Sequence, residues 1–249
     1  MRHFGLIGFP LSHSFSQGYF KDKFERENIL NAQYDNYPIA NISEFANLWS
    51  MDESMEGLNV TIPYKKEVIP YLQFPSSVVK SIQACNCIRK FNGALYGYNT
   101  DVIGFEHSLL PFLKTHHTHA LILGTGGASA AVVWVLQKLN IKYQIVSRAA
   151  DADKLNYEQV TPALLAAHTL IINTSPLGMY PNVNEAPAIP YEAIGPQHHL
   201  YDLVYNPSET LFLQKGAAQG ASIQNGLDML HIQAEKSWEI WNAITPIEQ

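Results

Sequence analysis

The chain has 249 residues, of which 47% are hydrophobic and 15% charged, and its formal net charge is −6. This length allows one large core or two smaller ones, the charge gives no general reason to bind nucleic acid, and no apolar run is long enough to span a membrane. The N-terminus lacks the pattern of a signal peptide. We expect a globular, cytoplasmic protein that acts on a small molecule, has no nucleic-acid or membrane partner, and is a monomer or a homodimer.

Short apolar runs alternate with helical patterns over the first hundred residues, which predicts a βαβαβ arrangement with parallel strands. Strands are expected around HFGLIG, AQYDNYPI and GLNVTIP, and helices around SQGYFKDKFERENI and ISEFANLWSM. Two further strands flank Asn92-Gly93, a dipeptide typical of tight β-hairpins. A helix is expected to begin at Thr100-Asp101, because aspartate favours helix N-termini, and to end near Pro111.

The second half begins with ALILGTGGASAAVVWVLQKL, which predicts a buried strand, a glycine turn and an apolar helix. Further strands are expected at YQIVS, TLIINTS and HHLYDLVY, helices at TPALLAAH and SETLFLQKGAAQG, and a final amphipathic helix at GLDMLHIQAEKSWEIWNAI. The fold class is therefore α/β. We predict one α/β domain at residues 1–100, completed by the C-terminal helix 226–249, and a Rossmann-like domain at 101–225.

Residue types that bind metals are sparse in this sequence. Cys85 and Cys87 are poorly spaced for a mutual disulfide and too few for a zinc site, so we expect reduced thiols on a strand. His116, His117 and His119 lie in a short polar run without carboxylates, for which a surface loop is the better interpretation. We predict no metal site.

Gly124, Gly126 and Gly127 stand between a predicted strand and a predicted helix, the context that a dinucleotide-binding loop requires. Ser129 replaces the third glycine of the usual pattern, and a plain strand-to-helix turn remains the alternative. The next strand ends at Ser147-Arg148, where an NAD-binding protein usually carries an acidic residue. A hydroxyl and a guanidinium suit a 2′-phosphate, which favours NADP, although a solvated loop arginine is the competing interpretation.

A bound nicotinamide would imply hydride transfer, and a carbonyl that receives a hydride must also receive a proton. Lys65 and Asp101, at predicted strand ends, are the candidate groups. Lys66 is interpreted as a surface charge and Tyr64 as a packing residue. Ser14 and Ser16, taken alone, would be ordinary helix N-caps.

Eight strings in order, GFPLSHSFS, GLNVTIPYKK, ACN, GYNTDVIG, GTGGAS, NTSPLGM, YDLVYNPSET and NGLDMLHIQA, resemble the shikimate dehydrogenase family over nearly the whole chain. The resemblance implies NADPH-dependent, reversible reduction of 3-dehydroshikimate to shikimate on the route to chorismate and the aromatic amino acids. It also implies that the first α/β domain binds the substrate, that the second binds NADP(H) as the cofactor, and that a cleft lies between them.

The resemblance also implies roles for individual residues. Lys65 and Asp101 match the catalytic pair. The positions that match substrate-binding residues are Ser14, Ser16, Asn59, Thr61, Asn86, Tyr205 and Gln233. The expected cofactor-binding residues are Gly124, Gly126, Gly127, Ala128, Ser147, Arg148, Thr174, Val204, Gly226 and Met229. His13 gains no role and is interpreted as structural.

Some positions depart from the family pattern, and they keep alternatives open. Cys87 stands where threonine is usual, and Ala149 replaces a threonine beside Arg148, with Lys154 as the candidate second cation. Gln17 and the pair Phe20-Lys21 also depart from common residues. One alternative is a quinate/shikimate dehydrogenase-like enzyme that uses NAD. Another is a non-catalytic NADP-binding regulator of the same fold.

Overall fold

The computed structural model describes residues 1–11 and 14–248. The chain divides into two compact units, one made of residues 1–100 with 233–249 and the other of residues 101–232. The boundary between residues 232 and 233 lies inside the last helix, whereas the sequence pattern placed the corresponding boundary after residue 225. None of the helices in the described part of the chain is long and apolar enough to cross a membrane.

The first unit contains a six-stranded mixed sheet in the order β2-β1-β3-β5-β6-β4. Its strands are β1 (Arg2–Gly8), β2 (Ala32–Pro38), β3 (Met55–Val60), β4 (Phe74–Pro75), β5 (Cys87–Phe91) and β6 (Ala94–Tyr98). Its helices are α1 (Phe15–Arg26), α2 (Phe45–Met51) and α3 (Ser77–Ile82), together with the part of the final helix from residue 233 onward. The predicted strands and helices are confirmed, whereas β4 and α3 are too short to leave a periodic signal in the sequence.

The predicted hairpin joins β5 and β6, which pair in antiparallel register from Cys87–Tyr98 to Phe91–Ala94. Asn92 has φ of 49° and Gly93 has φ of 78°. Two consecutive positive φ values match the twist of the strands, and asparagine and glycine are the residues that tolerate them.

Two hydrophobic clusters stabilise the first unit. One includes Ile7, Phe45, Leu58 and Ile88, and the other joins Phe4, Phe20, Tyr34, Ala234 and Trp241. The Trp241 Nε1 donates to the backbone carbonyl of Ile88 at 2.9 Å, and the absence of a side chain at Gly57 makes room for the indole ring. The final helix is thereby fixed to the sheet.

The second unit contains a parallel six-stranded sheet in the order β12-β11-β10-β7-β8-β9. Its strands are β7 (His119–Leu123), β8 (Lys142–Ser147), β9 (Lys154–Asn156), β10 (Leu170–Asn173), β11 (His199–Asp202) and β12 (Ser222–Gln224). Its helices are α5 (Ser129–Lys138), α6 (Pro162–Ala167) and α7 (Leu211–Ala218), with α4 (Thr100–Leu109) and α8 (Leu227–Asn242) carrying the chain between the units. The sequence pattern missed β9 and β12, which have three residues each.

The strand order of the second unit is that of a dinucleotide-binding fold. Counted within the unit from β9, the strands follow the order 3-2-1-4-5-6, with the reversal between β7 and β10. Ligands of such sheets bind outside the carboxyl ends of the strands, at the reversal. That edge is where the glycine loop after β7 and the Asn173-Thr174 segment after β10 lie.

Candidate active site

A network of buried polar side chains lies in the first unit, and Asn59, at the end of β3, is its centre. Asn59 is 5% exposed. Its amide nitrogen donates to the backbone carbonyl of Asn86 at 3.2 Å and to the Ser237 Oγ at 2.9 Å. Its Oδ1 accepts from the Tyr34 hydroxyl at 2.9 Å. A buried amide must satisfy its donors and acceptors within the protein or with a ligand, and Asn59 satisfies most of its own within the protein.

Asn86 extends this network to the start of α4. Its Oδ1 accepts from the Thr100 backbone amide at 2.6 Å, and its Nδ2 donates to the Thr100 Oγ1 at 3.0 Å. The Thr100 hydroxyl also lies 3.4 Å from the Gln233 Oε1 and 3.3 Å from the Ser237 Oγ. Three predicted substrate-binding residues, Asn59, Asn86 and Gln233, therefore belong to one network.

Ser14 and Ser16 lie at the start of α1. Ser14 is the residue before the helix, yet its side chain makes no capping hydrogen bond in the described structure. Its Oγ is buried and has no hydrogen-bond partner among the described residues. The side chain of Ser16 lies beside the Tyr34 hydroxyl, whose pKa is raised by burial. An unsatisfied buried hydroxyl is costly, so Ser14 is a good candidate for ligand contact. His13 lies outside the described residues.

The two candidate catalytic residues, Lys65 and Asp101, lie after β3 and at the start of α4. Lys65 follows β3, is half-buried, and accepts a 2.7 Å hydrogen bond from the Cys85 amide at its backbone carbonyl. Asp101 lies in the first turn of α4 and is 8% exposed. A helix N-terminus favours a carboxylate through its unpaired backbone amides. Lys66 is exposed, which confirms that it is a surface charge. Tyr64 is buried and its hydroxyl donates to the Ile39 carbonyl, which confirms that it is a packing residue.

Thr61 begins the turn after β3. Its backbone amide donates to the Ile7 carbonyl at 2.9 Å, and its methyl group packs over Gly8, at the end of the neighbouring strand β1. Thr61 therefore lies one residue beyond β3, at the same end of the sheet as Asn59.

The glycine loop leaves β7 at Gly124, whose φ of 109° disfavours any side chain. A Cβ on Gly126 would lie 3.0 Å from the Thr174 carbonyl, whereas a Cβ on Gly127 would meet nothing within 4 Å in the described structure. Helix α5 then begins after Ala128 with no side-chain cap among the described residues. This loop gives an anionic group close access to backbone amides at a helix N-terminus.

Arg148 is exposed just beyond β8, and the Ser147 hydroxyl donates to the Ala149 carbonyl. Lys154, the candidate second cation, lies on β9 and pairs with Asp151 at 2.7 Å. That exposed ion pair lowers the pKa of Asp151 and raises the pKa of Lys154. Arg148 forms no ion pair in the part of the chain that the structure describes, so it is better placed than Lys154 to present a positive charge to a phosphate.

The carboxyl ends of β10 and β11 are joined through the buried carboxylate of Asp202. Its Oδ1 accepts from the Asn173 Nδ2 at 2.9 Å and from the Val204 amide at 3.0 Å, and its Oδ2 accepts from the Thr210 Oγ1 at 2.5 Å. Burial raises the pKa of Asp202 to about 6, and the three donors oppose that rise. Asp202 thus fixes the backbone on which Val204 lies.

The other predicted cofactor residues of the second unit lie in its loops and its last helix. The Thr174 Oγ1 donates to the Leu123 carbonyl at 3.1 Å, and Met229 is buried on α8. Gly226 donates its amide to the Val204 carbonyl, and a Cβ there would overlap the Leu203 backbone. Tyr205, predicted as a substrate-binding residue, also lies in the second unit; it is half-buried, and burial raises its pKa.

Comparisons with known proteins decide the family. A sequence model of the shikimate dehydrogenase substrate binding domain matches residues 6–88. A shikimate dehydrogenase (NADP(+)) of Clostridium beijerinckii is 38% identical over 257 residues, which is 97% of this chain and 92% of that protein. The chain belongs to the shikimate dehydrogenase family. The resemblance predicted from the sequence motifs is confirmed.

Solved structures of shikimate dehydrogenases share the fold. A chorismate mutase/shikimate 5-dehydrogenase fusion protein from Clostridium acetobutylicum has a TM-score of 0.88 at 33% identity, covering 100% of this chain and 93% of that one. The Thermus thermophilus shikimate 5-dehydrogenase in complex with NADP(H) and shikimate has a TM-score of 0.86 at 26% identity, covering 99% and 95%. The predicted α/β architecture with a Rossmann-like unit is confirmed.

Sequence reasoning missed several residues that hold the candidate site residues in place within each unit. They are Tyr34, Thr100 and Ser237 in the first unit, and Asn173, Asp202 and Thr210 in the second. Tyr34 lies on β2 and Ser237 on α8, and nothing in the local sequence of either element distinguishes them from ordinary core residues. Asn173 and Asp202 lie at the ends of adjacent parallel strands, and that placement is the one signal from which they could have been found.

Proposed function

We propose that this chain is an NADP-dependent shikimate dehydrogenase that reversibly reduces 3-dehydroshikimate to shikimate, a step towards chorismate and the aromatic amino acids. The observation that carries the proposal is the buried network that links Asn59, Asn86 and Gln233. Such a set of amide and hydroxyl groups suits a ring that carries several hydroxyls, because each unmatched buried polar group would cost about 1 to 3 kcal/mol.

The substrate carboxylate is assigned to Ser14 and Ser16, with Thr61 and Tyr205 as further substrate-binding residues. The Ser14 Oγ is buried and finds no hydrogen-bond partner among residues 1–11 and 14–248, which supports the assignment, because this hydroxyl gains a hydrogen bond when a carboxylate binds. Ser16 lies beside the Tyr34 hydroxyl. Asn59, Asn86 and Gln233 are assigned to the ring.

The second unit is assigned to NADP(H), whose nicotinamide supplies or accepts the hydride. The Gly124–Gly127 loop and Ala128 would hold the pyrophosphate at the start of α5. Ser147 and Arg148 would bind the 2′-phosphate, since a guanidinium and a hydroxyl are good partners for it. Thr174, Val204, Gly226 and Met229 are assigned to the remaining cofactor contacts. Arg148, exposed at the end of β8 where an NAD site usually carries a carboxylate, favours NADP over NAD.

Lys65 and Asp101 are assigned to proton handling. The Lys65 ammonium donates a proton to the carbonyl oxygen during reduction and takes it back, as the amine, during oxidation. The Asp101 carboxylate is assigned to accept a hydrogen bond from a ring hydroxyl. One proton and one hydride are added to the carbonyl, so the reaction balances.

An assay of NADP reduction with shikimate, run beside quinate and NAD, tests the function. We expect shikimate with NADP to give the highest kcat/KM. A higher value for quinate with NAD would establish the alternative enzyme, and no turnover with any pair would favour the non-catalytic regulator.

The residue assignment is tested by Lys65→Ala, with Lys66→Ala as the matched control. Both remove a lysine from the same turn, but Lys66 is exposed. We expect Lys65→Ala to lower kcat by about 100-fold or more while the affinity for NADP persists, and Lys66→Ala to change neither. Near-normal turnover in Lys65→Ala would contradict the assignment.

A further inference from the structure

The hydrogen bonds of Asn59 determine which way its amide faces. A backbone carbonyl can only accept, so the group 3.2 Å from the Asn86 carbonyl must be the amide nitrogen of Asn59. The second hydrogen of that nitrogen goes to the Ser237 Oγ. Ser237 can receive it, because its own proton goes to the Gln233 carbonyl at 2.9 Å. Both donors of the amide are therefore committed to the protein.

The Asn59 oxygen is fixed from the other side by Tyr34. The Tyr34 hydroxyl donates to the Asn59 Oδ1 at 2.9 Å and has only one proton to give. Towards the adjacent Ser16 the same hydroxyl presents only lone pairs. Tyr34 is itself held rigidly, since its ring stacks on Phe20 with centroids 4.4 Å apart and is 6% exposed.

Within the described part of the chain, Asn59 is left with one acceptor position on Oδ1. We propose that Tyr34 and Ser237 are positioning residues that leave Asn59 as a pure hydrogen-bond acceptor, so that this subsite selects a ring substituent that donates a proton. A hydroxyl fits, whereas an ether or a fluorine does not. Tyr34 thus lies beside Ser16, which is assigned to the substrate carboxylate, and bonds Asn59, which is assigned to the ring. This inference rests on the proposed function and adds the polarity of the subsite and the residues that impose it.

A double-mutant cycle in kcat/KM for shikimate tests the positioning role of Tyr34. Tyr34→Phe retains the ring and its stacking but removes the donor to Asn59. We expect it to raise the KM for shikimate by about tenfold, with the KM for NADP unchanged. In an Asn59→Ala background the same change should have an effect of less than about twofold, because its target is gone. Ser237→Ala should behave in the same way.

Tyr98→Phe is the matched control. It removes a buried hydroxyl from the same hydrophobic cluster, but Tyr98 lines a separate cavity of about 470 Å³ with Ser76, Ser77 and Ile247. We expect it to leave both KM values unchanged. Thermal unfolding of every variant shows whether the fold is intact. If Tyr34 is merely structural, Tyr34→Phe should lower the melting temperature, and the effects of Tyr34→Phe and Asn59→Ala on kcat/KM should be additive. That result would overturn the proposal.

The polarity is tested with two fluorinated shikimates, each lacking one of the two ring hydroxyls that the reaction leaves intact. At least one should lose about 100-fold in kcat/KM with the unmodified enzyme. If both analogues keep the kcat/KM of shikimate itself, the proposal is overturned. If Asn59→Ala leaves the KM for shikimate unchanged, the residue assignment under the proposed function fails as well. If Asn59→Ala raises the KM and Tyr34→Phe does not, only the present inference fails.

Discussion

Asp202 and His199, at the two ends of β11, are fully buried groups whose pKa values are shifted in opposite directions. Burial raises the pKa of Asp202 to about 6 and lowers the pKa of His199 to about 4. Both groups are therefore held closer to neutrality by the fold. The perturbation we consider is Asp202→Asn, which keeps the shape of the side chain and an oxygen for Asn173 and Val204 but removes the titration.

The size of each contribution follows from the shift. The pKa of Asp202 is about 6 in the folded protein, against 3.8 ordinarily. Its contribution to the free energy of unfolding is therefore fully present below pH 4, and about 3 kcal/mol of it is lost as pH rises through 6. Lowering the His199 pKa from 6.5 to about 4 has the opposite sign. Above pH 6.5 His199 is neutral in both the folded and the unfolded chain and does not affect the free energy of unfolding. About 3 kcal/mol of that free energy is lost as pH falls to 4, because the unfolded chain binds the proton first. The two contributions nearly cancel between pH 4 and 6.5.

Urea unfolding between pH 4 and 7.5 measures the effect. On acidification from pH 7 to 4, Asp202→Asn should lose about 3 kcal/mol more of its free energy of unfolding than the unmodified protein. His199→Gln should lose about 3 kcal/mol less, and the double variant should regain the original profile. The slopes are compared, so a constant offset from either substitution does not matter. An Asp202→Asn profile parallel to that of the unmodified protein, within about 1 kcal/mol, would refute the reasoning.

Three further substitutions test the cofactor loop, the phosphate site and the core. Gly127→Ala should weaken NADP binding about tenfold in fluorescence titrations. It should not lower the melting temperature, because its Cβ meets nothing in the described protein. The control Gly18→Ala, where a Cβ also meets nothing, should leave NADP binding unchanged. Arg148→Ala should raise the KM for NADP about tenfold but leave that for NAD unchanged. Gly57→Ala should destabilise by about 1 to 3 kcal/mol in urea unfolding, because its Cβ overlaps the Trp241 ring; an unchanged midpoint would contradict that packing.

The elements that sequence patterns predicted well are those with enough residues to show a period. The strand, glycine turn and helix at residues 119–138 are confirmed, as is the hairpin at Asn92-Gly93, where positive φ values require those residue types. Strands β4, β9 and β12 have two or three residues each and carry no period of their own. They exist because a neighbouring strand offers backbone hydrogen bonds, and a local sequence does not contain that information.

The candidate site divides in the same way. Motif strings gave Asn59, Asn86 and Gln233 as substrate-binding residues, and the structure places them in one network. The same strings do not contain Tyr34 or Ser237, which are 25 and 178 residues from Asn59 along the chain. A hydrogen bond between residues so distant depends on which strand and helix faces meet after folding.

The sequence by itself determined the family, the α/β class, the glycine loop and the residue types available for a polyhydroxylated ring. These properties are local, since they depend on turn chemistry, on periodicity and on side chains in fixed strings. Only the tertiary structure decided that the Asn59 amide has both hydrogens committed and that the Ser14 hydroxyl is buried without a partner among the described residues. The physical reason is that hydrogen-bond satisfaction is a property of a whole buried environment, assembled from distant segments of the chain.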